Sequence, residues 1–400
     1  MTLVGETMPE VSSAAFLILT PTGVAYDPAG LIGTSAVLSE LVFRGAGDKD
    51  NRQLNESLDS LGLQRGNSVS VLHSRFSGAL VADKLPAALS IYADILQRPI
   101  LEDEHFELCR QLAMQSLESL EDDPRHKISL IVNKKYLPDP LGRPAPGIAD
   151  QLESLTNQQL KDHWAGHCLP DGAILSVAGN IDFPVLKKQI EELFSSWQGD
   201  KKQDLSYGGC QATVHHQPTD GAQVHIAVMY PSVHVKDSDY YKAMAAVSIL
   251  SGGMGSRLFT EVREKRGLCY AVSASHEVVG SIGAIRCYLG SSPQQAQEGL
   301  NVMLGELVKL KDGITEDELE RAKVGLRALL IMQGESSGAR AMRCAGDYYH
   351  LGRVRSLSEI EKEVQTISVA DVLDYAHKYQ PEKLTIATLG PTELNVNLPN

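Results

Sequence analysis

Leu54-Asn55-Glu56-Ser57-Leu58-Asp59-Ser60-Leu61-Gly62-Leu63 returns 205 residues later as Phe259-Thr260-Glu261-Val262-Arg263-Glu264-Lys265-Arg266-Gly267-Leu268, with Glu56 falling on Glu261 and Gly62 on Gly267. Glu102-Asp103-Glu104 is matched in the same order by Glu316-Asp317-Glu318, 214 residues on, and each triplet opens a long helix after a shorter one. Chance likeness of helical patterns is the competing reading. Two matches in order, between elements of matching type, are better explained by duplication of one unit.

Working outward, Ala14 to Thr20 reads as a buried strand, and the turn-rich 21–33 stretch leads into an amphipathic helix from about Thr34. A helix over 51–61 is closed by Gly62, and the alternating stretches 68–72 and 76–82 read as paired strands. Helices over 86–97 and from Asp103 towards Glu121 follow, the second stopped by Asp122-Asp123-Pro124. The same order begins again after His225. In each half a connecting piece (127–147 and 334–352) precedes a last helix and a last strand, 174–177 and 384–387. The expected fold is therefore α+β: two duplicated domains, 1–197 and 218–400, each a mostly antiparallel sheet with helices on one face. A linker over 198–217, rich in Lys, Gln, Gly and His, joins them.

The 400-residue length suits two cores better than one. A net charge of −13 disfavours nucleic acid and anionic membrane surfaces as partners and suits basic peptides. No apolar run reaches membrane-spanning length, and Met1-Thr2-Leu3-Val4-Gly5-Glu6 lacks a basic start and an apolar run after it, so the chain reads as cytoplasmic. Six scattered cysteines without a C-x-x-C pair fit reduced core thiols; Cys269, beside a basic segment, is the one to weigh for reactivity.

Two segments invite chemistry. The first helix reads Ala36-Val37-Leu38-Ser39-Glu40-Leu41-Val42-Phe43-Arg44-Gly45. In the second half, Ser251-Gly252-Gly253-Met254-Gly255-Ser256-Arg257-Leu258-Phe259 leads into a helix ending at Gly267, after which 268–275 alternates as a strand. A glycine-rich turn before a helix suggests phosphate binding. Neither GxGxxG after a strand nor a following lysine is present, and a flexible turn is the better reading. His163 and His167 share metal-ligand spacing without a carboxylate or cysteine nearby, and His215-His216 falls in the linker; packing and surface roles are preferred for both.

The run from Gly33 to Gly45 resembles the first helix of the insulinase and pitrilysin family of zinc peptidases, G-x-x-H-x-x-E-H-x-x-F-K-G, whose inverted H-x-x-E-H holds the metal. Here Ala36 replaces the first histidine, Ser39 the glutamate base and Glu40 the second histidine. In the later helix, Met114-Gln115-Ser116-Leu117-Glu118, Ser116 stands at the third ligand position. A catalytic zinc needs three protein ligands, so the resemblance implies no metal on this chain. Glu40, His73 and Glu118 would make an alternative ligand set, one poor in imidazole.

Arg257-Leu258-Phe259 and Arg263-Glu264-Lys265-Arg266-Gly267-Leu268-Cys269-Tyr270 resemble the family's second-domain signature S-R-L-F-x-x-x-R-E-K-x-x-x-x-Y. That match implies that Arg263 and Tyr270 orient the substrate and stabilise its oxyanion, where spacing alone shows a basic helix face and a strand tyrosine. It also implies that Gly252, Gly253 and Gly255 contact substrate. Leu141-Gly142-Arg143-Pro144 and Val177-Ala178-Gly179-Asn180 resemble further landmarks, and the chain starts inside the family's first strand. Some members divide the work between two similar subunits. The resemblance thus implies a non-catalytic subunit of a heterodimeric metallopeptidase, pairing with a homologous zinc-bearing H-x-x-E-H subunit that cuts unfolded or extended peptides. A catalytically inactive homodimer of the same fold, structural or peptide-binding, is the alternative.

Overall fold

The computed structural model describes residues 1–199 and 205–396, which form two compact units, each built on a five-stranded sheet. Across the first sheet the order is Thr2–Thr7, Ile174–Gly179, Ser13–Thr20, Ser74–Val81, Gln64–Val69. Across the second it is Val214–Pro218, Thr385–Gly390, Val224–Ser232, Ile282–Ser291, Ala271–Val279. In both, the first-named edge strand runs parallel to its neighbour and every other pair is antiparallel. The duplication read in the sequence is thus repeated in topology.

The Ser13–Thr20 strand shows what holds the first unit. Its residues alternate between faces, and both faces are dry. Ala14, Phe16 and Ile18 face a helical layer containing Val37, Leu38, Leu41, Leu89 and Tyr92, with Phe16 edge-on to Tyr92 at 4.8 Å. Leu17 and Leu19 face the other way, against Ile174, Cys344 and Ala345. A strand buried on both faces needs an unbroken apolar run, which Ala-Ala-Phe-Leu-Ile-Leu supplies.

Cys344 and Ala345 lie on the helix Ser337–Leu351, which belongs by sequence to the second half yet packs on strands 2–7, 13–20 and 174–179 of the first unit. Reciprocally, the helix Pro124–Tyr136 packs on strands 224–232 and 385–390 of the second unit. The segments Gln333–Arg355 and Leu120–Gly142 are therefore exchanged between the contiguous domain ranges drawn from sequence. The sheet face opposite the main helical layer carries a helix where the sequence reading left it bare. Two details also differ. The linker's middle, 200–204, lies outside the described residues, and its tail forms the edge strand Val214–Pro218, in which His216 Nδ1 lies 2.9 Å from Thr388 Oγ1. Among the described residues no helix is long and apolar enough to cross a membrane.

Charge pins the exchanged helix to the first unit's edge strand. The Glu6 carboxylate accepts from Arg340 Nη1 at 2.6 Å and Arg343 Nη2 at 2.5 Å, and buried Asp347 pairs with Arg355 Nη2 at 2.6 Å. Removing Glu6 takes from Arg340 its ion-pair partner and leaves Arg343 with only the 3.8 Å ion-pair contact to Asp347. Glu6→Ala is expected to lower stability by about 2 kcal/mol, read from the urea unfolding midpoint; a change below a few tenths would show that the network does not hold the helix.

Candidate functional site

In the first unit the helix Thr34–Leu41 begins at Gly33, whose φ of +118° belongs to glycine territory and where a Cβ would lie 2.5 Å from Leu152. Asp27 fixes this start. Its carboxylate accepts from the Gly33 N–H at 2.7 Å, the Ser35 N–H at 3.0 Å and the Ser35 hydroxyl, while Arg143 Nη1 donates to the Asp27 carbonyl at 2.7 Å. Burial outweighs these bonds and pushes the Asp27 carboxyl up to about 6.

The helix buries Val37, Leu38 and Leu41, while Ala36, Ser39 and Glu40 occupy its more open side. Ser39 Oγ donates to the Ala36 carbonyl at 2.8 Å. Asn67 Nδ2 donates to Glu40 Oε1 at 3.1 Å and to the Ser39 carbonyl at 2.9 Å. Ser116 is exposed on the helix Asp103–Ser119. One carboxylate already held by an amide, with alanine and serine beside it, does not fit a catalytic zinc. The alternative set fares no better: His73 is buried edge-on against Tyr349 at 4.6 Å, and among the described residues no group of three or more His, Cys, Asp or Glu side chains is placed to hold a metal ion. His163 and His167 stack with ring centroids 4.2 Å apart. Burial, with a smaller contribution from His167, pulls His163 down to about 3, so it stays neutral.

In the second unit the corresponding helix is Tyr240–Ser251, followed by the glycine-rich turn and a π-helical turn, Phe259–Glu264, marked by the Lys265 N–H bond to the Thr260 carbonyl at 2.9 Å. Gly252, Gly253 and Gly255 line a cavity of about 110 Å³ together with Ser248, Glu318 and Arg321. Arg257 clamps this turn, placing Nε 2.7 Å and Nη2 3.0 Å from the two Glu318 oxygens and Nη2 2.6 Å from the Gly313 carbonyl. The arginine holds the Glu318 carboxyl down at about 2. Arg257 and Glu318 both lie in stretches singled out in the sequence, but their pairing across 61 residues has no local signal. Arg321 had no sequence signal at all.

Arg263 and Tyr270 are not among the residues lining that cavity. Arg263 is exposed with its guanidinium 5.2 Å from the Phe259 ring centroid. The chain then turns at Gly267, φ +62°, where the Gly267 N–H bonds the Arg263 carbonyl at 3.0 Å and the Leu268 N–H bonds the Val262 carbonyl at 2.9 Å, closing the end of the π-helical turn. Tyr270 enters the Ala271–Val279 strand with its N–H bonded to the Gly290 carbonyl at 2.8 Å and its side chain 58% exposed. Cys269 is half-buried and its thiol is pushed up by burial, against a smaller opposing influence of Arg263, which argues against an activated nucleophile.

Two outcomes follow. A carboxyl whose folded pKa of about 6 exceeds the unfolded value of ~3.9 takes up protons on folding, so its contribution is complete below pH ~4 and is lost as pH rises through about 6. Wild type should therefore lose stability relative to Asp27→Asn between pH 4 and 7 in urea titrations; a constant difference would refute the shift. Metal analysis of the purified chain should find zinc far below one ion per chain, and stoichiometric zinc would overturn the reading of the 34–41 helix.

Comparison with known proteins agrees with this arrangement. Residues 3–145 match the model of Insulinase (Peptidase family M16), and residues 154–326 match that of the Peptidase M16 inactive domain. The chain is similar to an uncharacterized zinc protease of Rickettsia felis, 27% identical with 98% of this chain and 96% of the relative covered. It is similar also to one of Bacillus subtilis, 26% identical with 98% and 96% covered. Its fold is that of the peptidase M16 inactive domain from Pseudomonas fluorescens (TM-score 0.89, 20% identity, 99% and 96% of the two chains covered). A protease from Helicobacter pylori is close in fold as well (TM-score 0.88, 19% identity, 97% and 96% covered). With both halves matched and the strand order of the units repeated, the chain belongs to the insulinase family of peptidases, peptidase family M16.

Proposed function

We propose that this chain is the non-catalytic subunit of a two-subunit metallopeptidase, working in the cytoplasm beside a homologous zinc-bearing partner that cuts unfolded or extended peptides. The observation that carries the reading is an asymmetry between the units. The first keeps the frame of the metal helix with Ala36, Ser39, Glu40 and Ser116 where ligands and base would stand, while the second presents Arg263 and Tyr270 to the outside.

In this reading the Arg263 guanidinium, a rigid fork of donors, holds a backbone carbonyl of the peptide. The Tyr270 hydroxyl donates to the oxyanion that develops as the neighbouring carbonyl is attacked. Gly253 and Gly255 leave room for the peptide backbone to approach, since a Cβ at Gly253 would meet nothing and one at Gly255 would come no nearer than 3.7 Å to Arg321. A Cβ at Gly252 would instead collide with Ser248 Oγ, so that glycine is also required by the turn's own packing. Both exposed side chains require cover by peptide and partner, because water competes for their hydrogen bonds until it is excluded.

Co-expression with an H-x-x-E-H homologue and assay of peptide cleavage test the reading. Tyr270→Phe should lower turnover about a hundredfold with little change in assembly. An unchanged rate removes Tyr270 from the chemistry. A chain that dimerises with itself, ignores every zinc-bearing homologue and still binds peptides would instead establish the inactive homodimer.

A further inference from the structure

The side of the 34–41 helix that lacks ligands borders a cavity of about 300 Å³ whose wall includes Glu40, Phe43, Arg44, Asn55, Arg65 and Asn67. The charges do not cancel. Glu40 is the one carboxylate among these residues and is held by the Asn67 amide. Arg65 donates through Nη2 to Asn55 Oδ1 at 2.8 Å and stands 3.7 Å from Asp59, which is 72% exposed and therefore well screened. Arg44 has less. Its Nε is buried with no hydrogen-bond partner, and among the described residues its guanidinium donates only to the Cys109 sulfur, a weak acceptor whose thiol burial keeps protonated. Two guanidiniums thus face one occupied carboxylate, and a buried donor left unsatisfied calls for an acceptor that the chain does not supply.

The same wall adjoins an open sheet edge. Gln64–Val69 pairs on one side only, with Ser74–Val81, and is last in the strand order of its sheet. Arg65 and Asn67 belong both to this strand and to the cavity wall. An extended peptide that continues the sheet along this edge would carry its side chains or its terminus past the two arginines. We propose that this cavity is a carboxylate-recognition site: Arg44 and Arg65 bind a carboxylate of an extended peptide laid along the Gln64–Val69 edge, with Phe43 flanking the methylenes that bear it. A planar, forked guanidinium matches a carboxylate in geometry as well as in charge. The site assigns the metal-free helix a binding role of its own and involves neither Tyr270 nor a zinc-bearing subunit, so its success or failure is separable from that of the subunit reading.

The test uses the full chain alone and three rhodamine-labelled short peptides of one extended, otherwise uncharged sequence: a free C-terminal acid, the C-terminal amide, and the amide with one internal glutamate. Fluorescence anisotropy should show at least one carboxylate-bearing peptide binding about tenfold or more tighter than the plain amide. Preference for the free acid identifies a chain terminus as the source, and preference for the glutamate peptide an acidic side chain. Arg44→Gln and Arg65→Gln should each abolish the preference with the far-UV circular dichroism unchanged. Should Arg44→Gln fail to fold, the partly exposed Arg65 decides the matter through Arg65→Gln. Equal binding of all three peptides, or a preference that survives in folded Arg65→Gln protein, overturns the proposal.

Discussion

Each sheet in this molecule is covered by helices on both faces, and the burial of the second face is the constraint on which the rest depends. The Ser13–Thr20 strand is buried at seven of its eight positions, so it cannot sit at a surface. The helices that follow it within the first half of the chain cover only the face carrying Phe16 and Ile18. Leu17 and Leu19 are covered by the helix 337–351, drawn from the other half of the chain. Burying such side chains is worth about 1.5–3 kcal/mol each relative to exposure, which explains why the exchange is reciprocal: each duplicated unit contributes the helix that its counterpart's sheet requires. A unit cut out as a contiguous stretch would carry a bare apolar sheet face.

This explains what could be read from sequence. Several helix positions were legible, because amphipathic period and caps are local: the helix expected from about Thr34 spans 34–41, and that expected over 86–97 spans 85–97, while the edge strand Thr2–Thr7 was not read. The exchange was not legible. Both exchanged helices, 124–136 and 337–351, fall largely in stretches read as connecting pieces, and a helical period would in any case say nothing about which sheet each meets. Strand limits also drifted where polar residues dominate. The strand expected over 68–72 is Gln64–Val69, and Val214–Pro218 is hidden in a His- and Gln-rich stretch that reads as linker.

The candidate site divides along the same line. Arg263, Tyr270 and the glycine turn are carried by spacing within one short segment, so a motif reveals them. The Arg257 clamp on Glu318 and the lone Arg44 depend on residues far away in sequence, and only packing brings them out. The 34–41 helix shows why its frame and its ligands could part company. The residues that hold it in place, Val37, Leu38 and Leu41 with Asp27 at its start, are distinct from positions 36, 39 and 40. Replacing ligands on the open side removes metal affinity without touching the core, so the fold is indifferent to the loss.

Exposure gives the second unit its functional sense. A phenol that is 58% exposed donates hydrogen bonds to water as readily as to any oxyanion, and an exposed arginine is strongly screened. Yet the backbone around both is tightly determined, by the π-helical turn, the left-handed turn at Gly267 and the sheet bond from Tyr270 to Gly290. Rigid placement with open side chains is preorganisation awaiting cover: the ordering of the groups is already set by the fold, and what is missing is exclusion of water. On the proposed reading, an enclosing partner would supply that exclusion. On that reading the incompleteness of the first unit and the openness of the second would be met by the same condition, a second surface closing over this chain.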